Sequence, residues 1–326
     1  MATNYTNTLA GLIVLNDQNL ADIYPSDVLN DAPVIARATA IPASQGGTVH
    51  KYIQRTTAAG AGFRDLATGV ANAAETFTDQ TLVCEILDAS FDRDVMLADA
   101  YRKGRDAYVE KETLAALKSA MYGIESALFT NVADSFNGLL QWDDYSVYTA
   151  ATGQVIDTGG AGGKSVWLIR WAEDAVAIVA GNDGNMSMLW DNDNPTVVRI
   201  TDDTGNPYSA YRVTLSGYYG LQVGSKYDVV RIANLDGTSD DLLTDDLLAQ
   251  AISKFPAGRG PNMICMNRTA QKELREGRTA TNPTGAPAEF PTQAFGVPIV
   301  VTDALGVAEA TVVSTTTATT HSTQTS

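Results

Sequence analysis

A glycine-rich stretch followed by lysine and serine comes nearest to a known chemical motif. Gly163-Lys164-Ser165 resembles the end of a phosphate-binding loop, and residues 299–303 resemble the strand that holds the metal ion in such proteins. The motif also requires a glycine where the chain has Thr158, and the residues after Ser165 look like a strand rather than a helix. A nucleotide-binding enzyme that uses this imperfect loop is therefore kept only as an alternative function.

Cysteine and histidine are too scarce to supply the usual catalytic groups. Cys84 and Cys265 each stand in an apolar run, which predicts small buried side chains rather than ligands or a disulfide. His50 falls in a candidate strand and His321 in a Thr-rich tail, and no Gly-x-Ser-x-Gly pattern is present. We expect no catalytic residue, no metal and no cofactor.

Two clusters of acidic residues could in principle hold calcium. Neither has the loop spacing of an EF-hand, with glycine at the sixth position and glutamate at the twelfth. We expect them to be solvated turns and helix starts. The clusters are residues 191–194 and the set Asp236, Asp240, Asp241, Asp245 and Asp246.

The charge balance argues against nucleic-acid recognition. The chain has 38 acidic and 22 basic residues, a net charge of -16, so its surface repels phosphate backbones. An acidic wall can nevertheless enclose packed DNA without binding it.

No apolar run approaches the ~20 residues of a membrane span, and residues 1–7 do not resemble a signal peptide. We expect no membrane partner.

Two candidate strands, 48–55 and 81–88, are separated by 25 residues rich in Ala, Gly and Thr. A connection of this length is uncommon unless it has a function, so we expect a hairpin that projects and packs on another surface. Apolar residues beside charged ones in the loop could anchor such a contact, although a solvated loop remains an equal alternative. The candidate intersubunit contacts are Lys51, Arg55, Phe63, Arg64, Asp65 and Leu66.

The most regular helical pattern follows this hairpin. Apolar residues recur at spacings of three and four, at Leu114, Leu117, Met121, Ile124 and Leu128. With the segment from Asp92, the helix is expected to reach Asn131, about 60 Å at ~1.5 Å per residue, unless Gly104 divides it. A coiled coil would need more heptads than the two present.

The C-terminal half changes pattern twice. Residues 165–235 show β-rich runs and a period of two, which predicts an antiparallel meander. The residues after 235 predict a small α/β layer, with Thr244 as the N-cap of its first helix and Gly277 at the end of its second. Its elements are a helix at 244–255, a strand at 262–266, a helix at 268–276 and a strand at 297–302.

The order of these parts resembles the major capsid proteins of tailed bacteriophages with the Hong Kong 97 fold. The residues that carry the likeness are 30–34, 46–52, 63–79, the helix from Asp92, Gly260–Thr269 and Phe295–Val300. The resemblance implies an α+β fold with an N-terminal arm (1–36), an extended hairpin loop (37–90), a spine helix (91–134), a β-rich peripheral domain (135–235), an axial α/β domain (236–305) and a tail (306–326). Because the β-rich segment precedes the axial domain in the sequence, we expect a permuted domain order.

The resemblance also implies a structural role rather than catalysis. The chain is expected to self-assemble, as hexamers and pentamers, into an icosahedral shell around double-stranded DNA. A separate scaffolding protein is expected because the sequence starts directly at the arm, and a portal and a decoration protein are further expected partners. The expected location is the virion, after assembly in the host cytoplasm. Another shell or tail assembly protein remains an alternative.

Overall fold

The computed structural model describes residues 31–44, 47–70, 74–148, 153–160, 162–181, 189–190, 196–237, 241–282 and 286–312. Its strands are β1 (Ala40–Pro42), β2 (Val49–Thr57), β3 (Thr76–Val83), β4 (Glu85–Asp88), β5 (Phe91–Asp94), β6 (Val155–Asp157), β7 (Lys164–Ile169), β8 (Val176–Ala180), β9 (Leu189–Trp190), β10 (Thr196–Thr201), β11 (Pro207–Val213), β12 (Leu215–Val223), β13 (Val229–Leu235), β14 (Met263–Met266), β15 (Gln293–Ala294) and β16 (Val297–Val301). Its helices are α1 (Val95–Asp99), α2 (Arg105–Phe129), α3 (Asp143–Ser146), α4 (Asp245–Ser253) and α5 (Arg268–Ala280).

A small unit contains the described residues of Ile86–Gly123 and Ser187–Gly217. Its antiparallel sheet has the order β10-β11-β5, and a largely aromatic core packs beside it. Ion pairs join neighbouring segments, since Arg212 pairs with Asp92 at 2.8 Å and Arg93 with Glu112 at 2.9 Å. The buried core residues are Leu97, Ala98, Tyr101, Tyr108 and Tyr211.

The helix does not run unbroken from Asp92 to Asn131, because Gly104 divides it, which is the alternative that the sequence left open. Asp92 lies in β5, and the carboxylate of Asp94 caps the short α1 by accepting the Met96 N–H at 2.8 Å. Gly104 then adopts a φ of +92°, a left-handed conformation that interrupts the helical path. The long helix α2 therefore begins at Arg105, just after the glycine that the sequence marked as a possible break.

A large unit contains the described residues of Pro33–Glu85, Ile124–Met186 and Tyr218–Ser326. Its main sheet has the order β15-β16-β14-β7-β13-β6. Strands β7, β13 and β14 are fully buried, as expected for a sheet covered by helices. The apolar faces of α4 and α5 contribute to its core through Leu248, Ala251, Ala270 and Leu274.

The small α/β layer is present, with adjusted ends. Thr244 caps α4 as predicted, its hydroxyl accepting the Leu247 N–H at 3.2 Å. Gly277 does not close α5, which continues to Ala280 because Gly277 keeps a helical conformation and Arg278 pairs with Asp245 at 2.7 Å. The helix and strand types predicted for 244–302 are thus correct, and one helix end is wrong.

A single meander over 165–235 is also wrong. Strands β7 and β13 belong to the six-stranded sheet, β8 and β12 pair with each other beside β1, and β10 and β11 form part of the small unit. The spacing of apolar residues within a strand does not identify its pairing partner, because strand pairing depends on how distant segments pack. The division into six sequence segments and the permuted order stay predictions.

Two predicted segments fall mainly beyond the described part of the chain. Of the arm (1–36), residues 31–36 are described, and a 3-10 turn at Ile35–Arg37 begins within them. Of the tail (306–326), residues 306–312 are described. The acidic cluster at 191–194 lies outside the described residues. Among the helices that the structure describes, none has the length and hydropathy needed to cross a bilayer.

Candidate functional site

The lysine of the imperfect phosphate loop is committed to a buried ion pair. Lys164 lies in β7, and its Nζ is 2.5 Å from Glu273 Oε1, with 5% and 7% of the two side chains exposed. Gly163 pairs its backbone in both directions with Glu309, in an antiparallel bridge. No helix follows to point its N–H groups at a phosphate, so the nucleotide-binding enzyme has no support.

The predicted hairpin is formed by β2 and β3, which pair from Val49 opposite Val83 to Thr57 opposite Thr76. The second strand begins at Thr76 rather than 81, because Thr76, Phe77 and Thr78 already favour extended backbone. The loop between the strands is correspondingly shorter than predicted. Among the described strands, β2 and β3 pair only with each other, so they form a two-stranded ribbon.

The base of the hairpin is fixed to β12 by side-chain hydrogen bonds. His50 Nε2 lies 2.7 Å from Gln222 Oε1, and His50 Nδ1 accepts the Ser44 N–H at 3.0 Å. The Tyr52 hydroxyl donates to the Val223 carbonyl at 3.1 Å, and the amide of Gln54 donates to the Gly224 carbonyl. Each inward side chain of β2 thus has its own partner on or after β12.

Apolar packing and neutral groups complete this base. Leu82 is buried with Cys84, Ala43 and Val179, and it lies so close to Gly220 that a Cβ there would be 3.0 Å from the leucine. Burial raises the pKa of Tyr52 to about 12, against a smaller lowering by the Val223 carbonyl. Burial, with the nearby Glu85 charge, raises the pKa of Cys84 to about 11. Both groups are therefore uncharged at neutral pH.

The outer face of the hairpin has the opposite character. Ile53 and Phe77 are more than half exposed, and Lys51 lies on the same face of β2. Arg55, opposite Phe77, forms an exposed ion pair with Glu75 at 3.4 Å, which contributes little stability. The structure therefore places two of the predicted contact residues, Lys51 and Arg55, beside exposed apolar side chains.

The four remaining predicted contact residues lie together at the tip. Phe63 and Leu66 are fully exposed. A turn holds them, since both the N–H and the hydroxyl of Thr68 donate to the Asp65 carbonyl, and the Arg64 guanidinium donates to the Thr68 carbonyl at 3.3 Å. Two apolar side chains flanked by one cation and one anion can act as a docking surface.

Sequence reasoning missed the buried charges of the large unit. Glu125 is completely buried and accepts hydrogen bonds from the Val34 and Ile35 N–H groups and from the Thr302 hydroxyl. Arg231 donates to Ser165 at 2.9 Å and pairs with Glu309 at 2.8 Å. A signal existed for Arg231, which is the one charged residue in a largely apolar strand. None existed for Glu125, whose partners are about 90 and 177 residues away.

No grouping of potential metal ligands is present among the described residues, and both cysteines are buried and free. The hairpin offers exposed apolar and charged side chains for contact. The buried state of Cys84 and Cys265 confirms the prediction made from their apolar neighbours.

Comparison with known structures places this architecture among phage capsids. A chain of the bacteriophage Epsilon15 structure aligns with a TM-score of 0.67 at 17% identity, covering 96% of this chain and 98% of that one. The bacteriophage JBD30 capsid aligns at 0.54 and 10% identity, covering 91% and 98%. The JBD30 capsid decorated with minor capsid protein trimers gives 0.53 and 11%, covering 92% and 100%. At such identities these matches establish the fold alone.

Sequence comparison supplies the family. No curated protein gives a significant match. The model of the family described as major capsid protein GP7 matches residues 17–313, which is most of the chain. The predicted resemblance to tailed-phage capsid proteins and the α+β capsid fold are thereby confirmed. The chain belongs to the major capsid protein GP7 family and is a structural coat protein of a bacteriophage capsid.

Proposed function

We propose that copies of this coat protein assemble, as hexamers and pentamers, into a closed icosahedral shell, and that the β2–β3 hairpin is a principal contact between subunits. The observation that carries the proposal is the contrast along the hairpin. Its base is buried and hydrogen-bonded, whereas its tip exposes Phe63 and Leu66 on a turn held by Thr68.

Burial of the tip residues on a neighbouring subunit would supply a favourable contact. A large apolar side chain contributes about 1.5–3 kcal/mol when it leaves water. Such a contact is repeated for every subunit of a closed shell, so modest single contacts combine into a stable assembly. Lys51 and Arg55, farther down the ribbon, would supply the charged margin of the same contact, with Arg64 and Asp65 at the tip.

The remaining partners follow from the proposed role. A net charge of -16 suits a wall that lies near packed DNA without binding it. A separate scaffolding protein, a portal and a decoration protein complete the proposed set, with assembly in the host cytoplasm. The protein acts by assembly and carries out no catalysis.

Electron microscopy of the purified full chain, expressed alone and with the scaffolding protein, tests this function. Wild-type protein should form icosahedral shells. The double variant F63S/L66S should form only small oligomers, with a Tm within about 1 °C of wild type because both residues are already exposed. The variant F63L/L66M keeps the apolar surface and serves as the matched control.

Two results would contradict the proposal at different levels. A wild-type chain that stays monomeric under every condition would contradict the shell. Shells formed equally well by F63S/L66S would contradict the hairpin tip as a contact and leave the shell intact.

A further inference from the structure

The tight turn between β15 and β16 contains a phenylalanine in a conformation that phenylalanine disfavours. Phe295 has a φ of +51° and Gly296 a φ of +80°, and they are the two residues that join the paired strands. Two-residue hairpins with both central φ values positive strongly favour Asn-Gly. A bulky residue at the first position is an outlier that invites a functional explanation.

Nothing inside the described part of the chain compensates for this choice. The Phe295 side chain is 61% exposed and makes no ring or cation contact there. Its neighbours Ala294 and Val297 turn inward to the core of the six-stranded sheet, whereas Phe295 does not. In an isolated subunit the Phe295 backbone is therefore strained, and the exposed ring gains little free energy from burial.

The surroundings of the turn have the composition of a protein contact. Strand β15 has two residues and is the last strand on its side of the sheet among the described residues. A second exposed aromatic, Phe290, precedes this strand and is covered on one face by Arg275, 4.9 Å from the ring centre. The Arg275 guanidinium also donates to the Ala288 carbonyl at 2.7 Å, and no carboxylate lies within ion-pair distance of it among the described residues. Aromatic and arginine side chains are the types enriched at binding hot spots.

We propose that Phe295 is a contact residue that the strained turn presents to a second copy of this chain. The partner follows from the family. The chain belongs to a coat protein family, so other copies of the chain are the surfaces that this turn meets in an assembly. The inference rests on the proposed shell, because repeated copies supply the partner.

Two substitutions separate this contact from the stability of the fold. F295N installs the residue that the turn favours and removes the ring, so Tm should rise by about 2–4 °C while shell formation falls at least tenfold. G296A keeps the ring but adds a Cβ at positive φ in open space, so Tm should fall while shells still form at low temperature. F295Y keeps an aromatic ring and should assemble like wild type.

The variants are compared by shell yield in electron microscopy, by sedimentation of all oligomers and by thermal melting. Loss of assembly by F295N with a raised Tm supports the contact, and so does retained assembly by G296A with a lowered Tm. Shells formed by F295N at the wild-type yield would overturn the contact alone. A wild-type chain that never associates would overturn the contact together with the proposed shell.

Discussion

His50 on β2 and Gln222 on β12 share a hydrogen bond of 2.7 Å, although 172 positions separate them in the sequence. His50 Nδ1 accepts the Ser44 N–H, so the ring proton lies on Nε2 and the Gln222 oxygen accepts it. The Gln222 amide in turn donates to the Glu173 carbonyl at 2.9 Å. This chain of three hydrogen bonds sets the direction in which the hairpin leaves the large unit.

Replacement of Gln222 by leucine should loosen the hairpin base. Q222L leaves the buried His50 N–H without an acceptor, which costs about 1–3 kcal/mol. We expect a lower Tm and faster hydrogen exchange in β2 and β3. T81S, at an exposed position of the same hairpin, is the control, and unchanged exchange in Q222L would contradict the role of this hydrogen bond.

Glu125 should make stability depend on pH in an unusual direction. Burial raises the pKa of its carboxyl, against the opposing hydrogen bonds from Thr302, Ile35 and Val34. A raised pKa means that the folded state favours the protonated carboxyl. The stability that the protonated carboxyl contributes is fully present below the ordinary glutamate pKa of about 4.3, and it is lost as pH rises through the raised value. E125Q mimics the protonated group, so the Tm of E125Q relative to wild type should increase from pH 4 to pH 7.

E125A provides the matched comparison at the same position. It leaves the Val34 and Ile35 N–H groups buried without an acceptor, which costs roughly 2–4 kcal/mol. The Tm of E125A should therefore lie well below that of E125Q at every pH. A Tm difference between E125Q and wild type that is constant with pH, or falls as pH rises, would be inconsistent with the raised pKa.

The Lys164–Glu273 pair should be sensitive to the loss of either member and tolerant of the loss of both. K164M leaves a buried carboxylate uncompensated and should cost about 3–5 kcal/mol. The double variant K164M/E273L replaces the pair with apolar side chains and should recover most of that loss. Denaturant unfolding of the two variants measures the difference, and ATP should not shift the wild-type Tm. A double variant no more stable than K164M would argue against this account.

Asn234 should affect the free energy of unfolding in two ways, through its backbone conformation and through its side-chain hydrogen bonds, and substitutions can separate the two. Its φ is +63°, and its side-chain amide pairs with both the N–H and the carbonyl of Val312. N234G relieves the backbone and loses the hydrogen bonds, whereas N234A loses the hydrogen bonds and keeps the strain. N234A should therefore be the less stable by about 1 kcal/mol. Equal unfolding free energies would show that the positive φ carries no cost.

Features that depend on neighbouring residues could be predicted from the sequence. The hairpin, the helix over 105–129, the cap at Thr244 and the burial of both cysteines follow from local periods and residue types. The position of Phe63 and Leu66 at an exposed tip follows from the length and composition of the loop. Their role as subunit contacts stays a prediction.

Features that depend on distant pairing could not be predicted. Strand β7 lies between β13 and β14, which are about 60 and 100 positions away along the chain, so no local pattern identifies its partners. The Lys164 motif misled for the same reason, because its partner Glu273 lies on a helix 109 positions later. Strain at Phe295 is likewise invisible until the turn conformation is known.

Pro42 removes one backbone hydrogen-bond donor from the edge strand β1, which affects the subunit before any shell is assembled. Thr39 and Ala43 make the hydrogen bonds to β8, so the alternation of the strand turns the nitrogen of Pro42 to the edge that no other described strand pairs with. That edge lacks a donor there and is a poor template for the strand of another molecule. A subunit whose edge strand is exposed before assembly thus offers one backbone donor fewer to a neighbouring strand, which disfavours edge-to-edge aggregation.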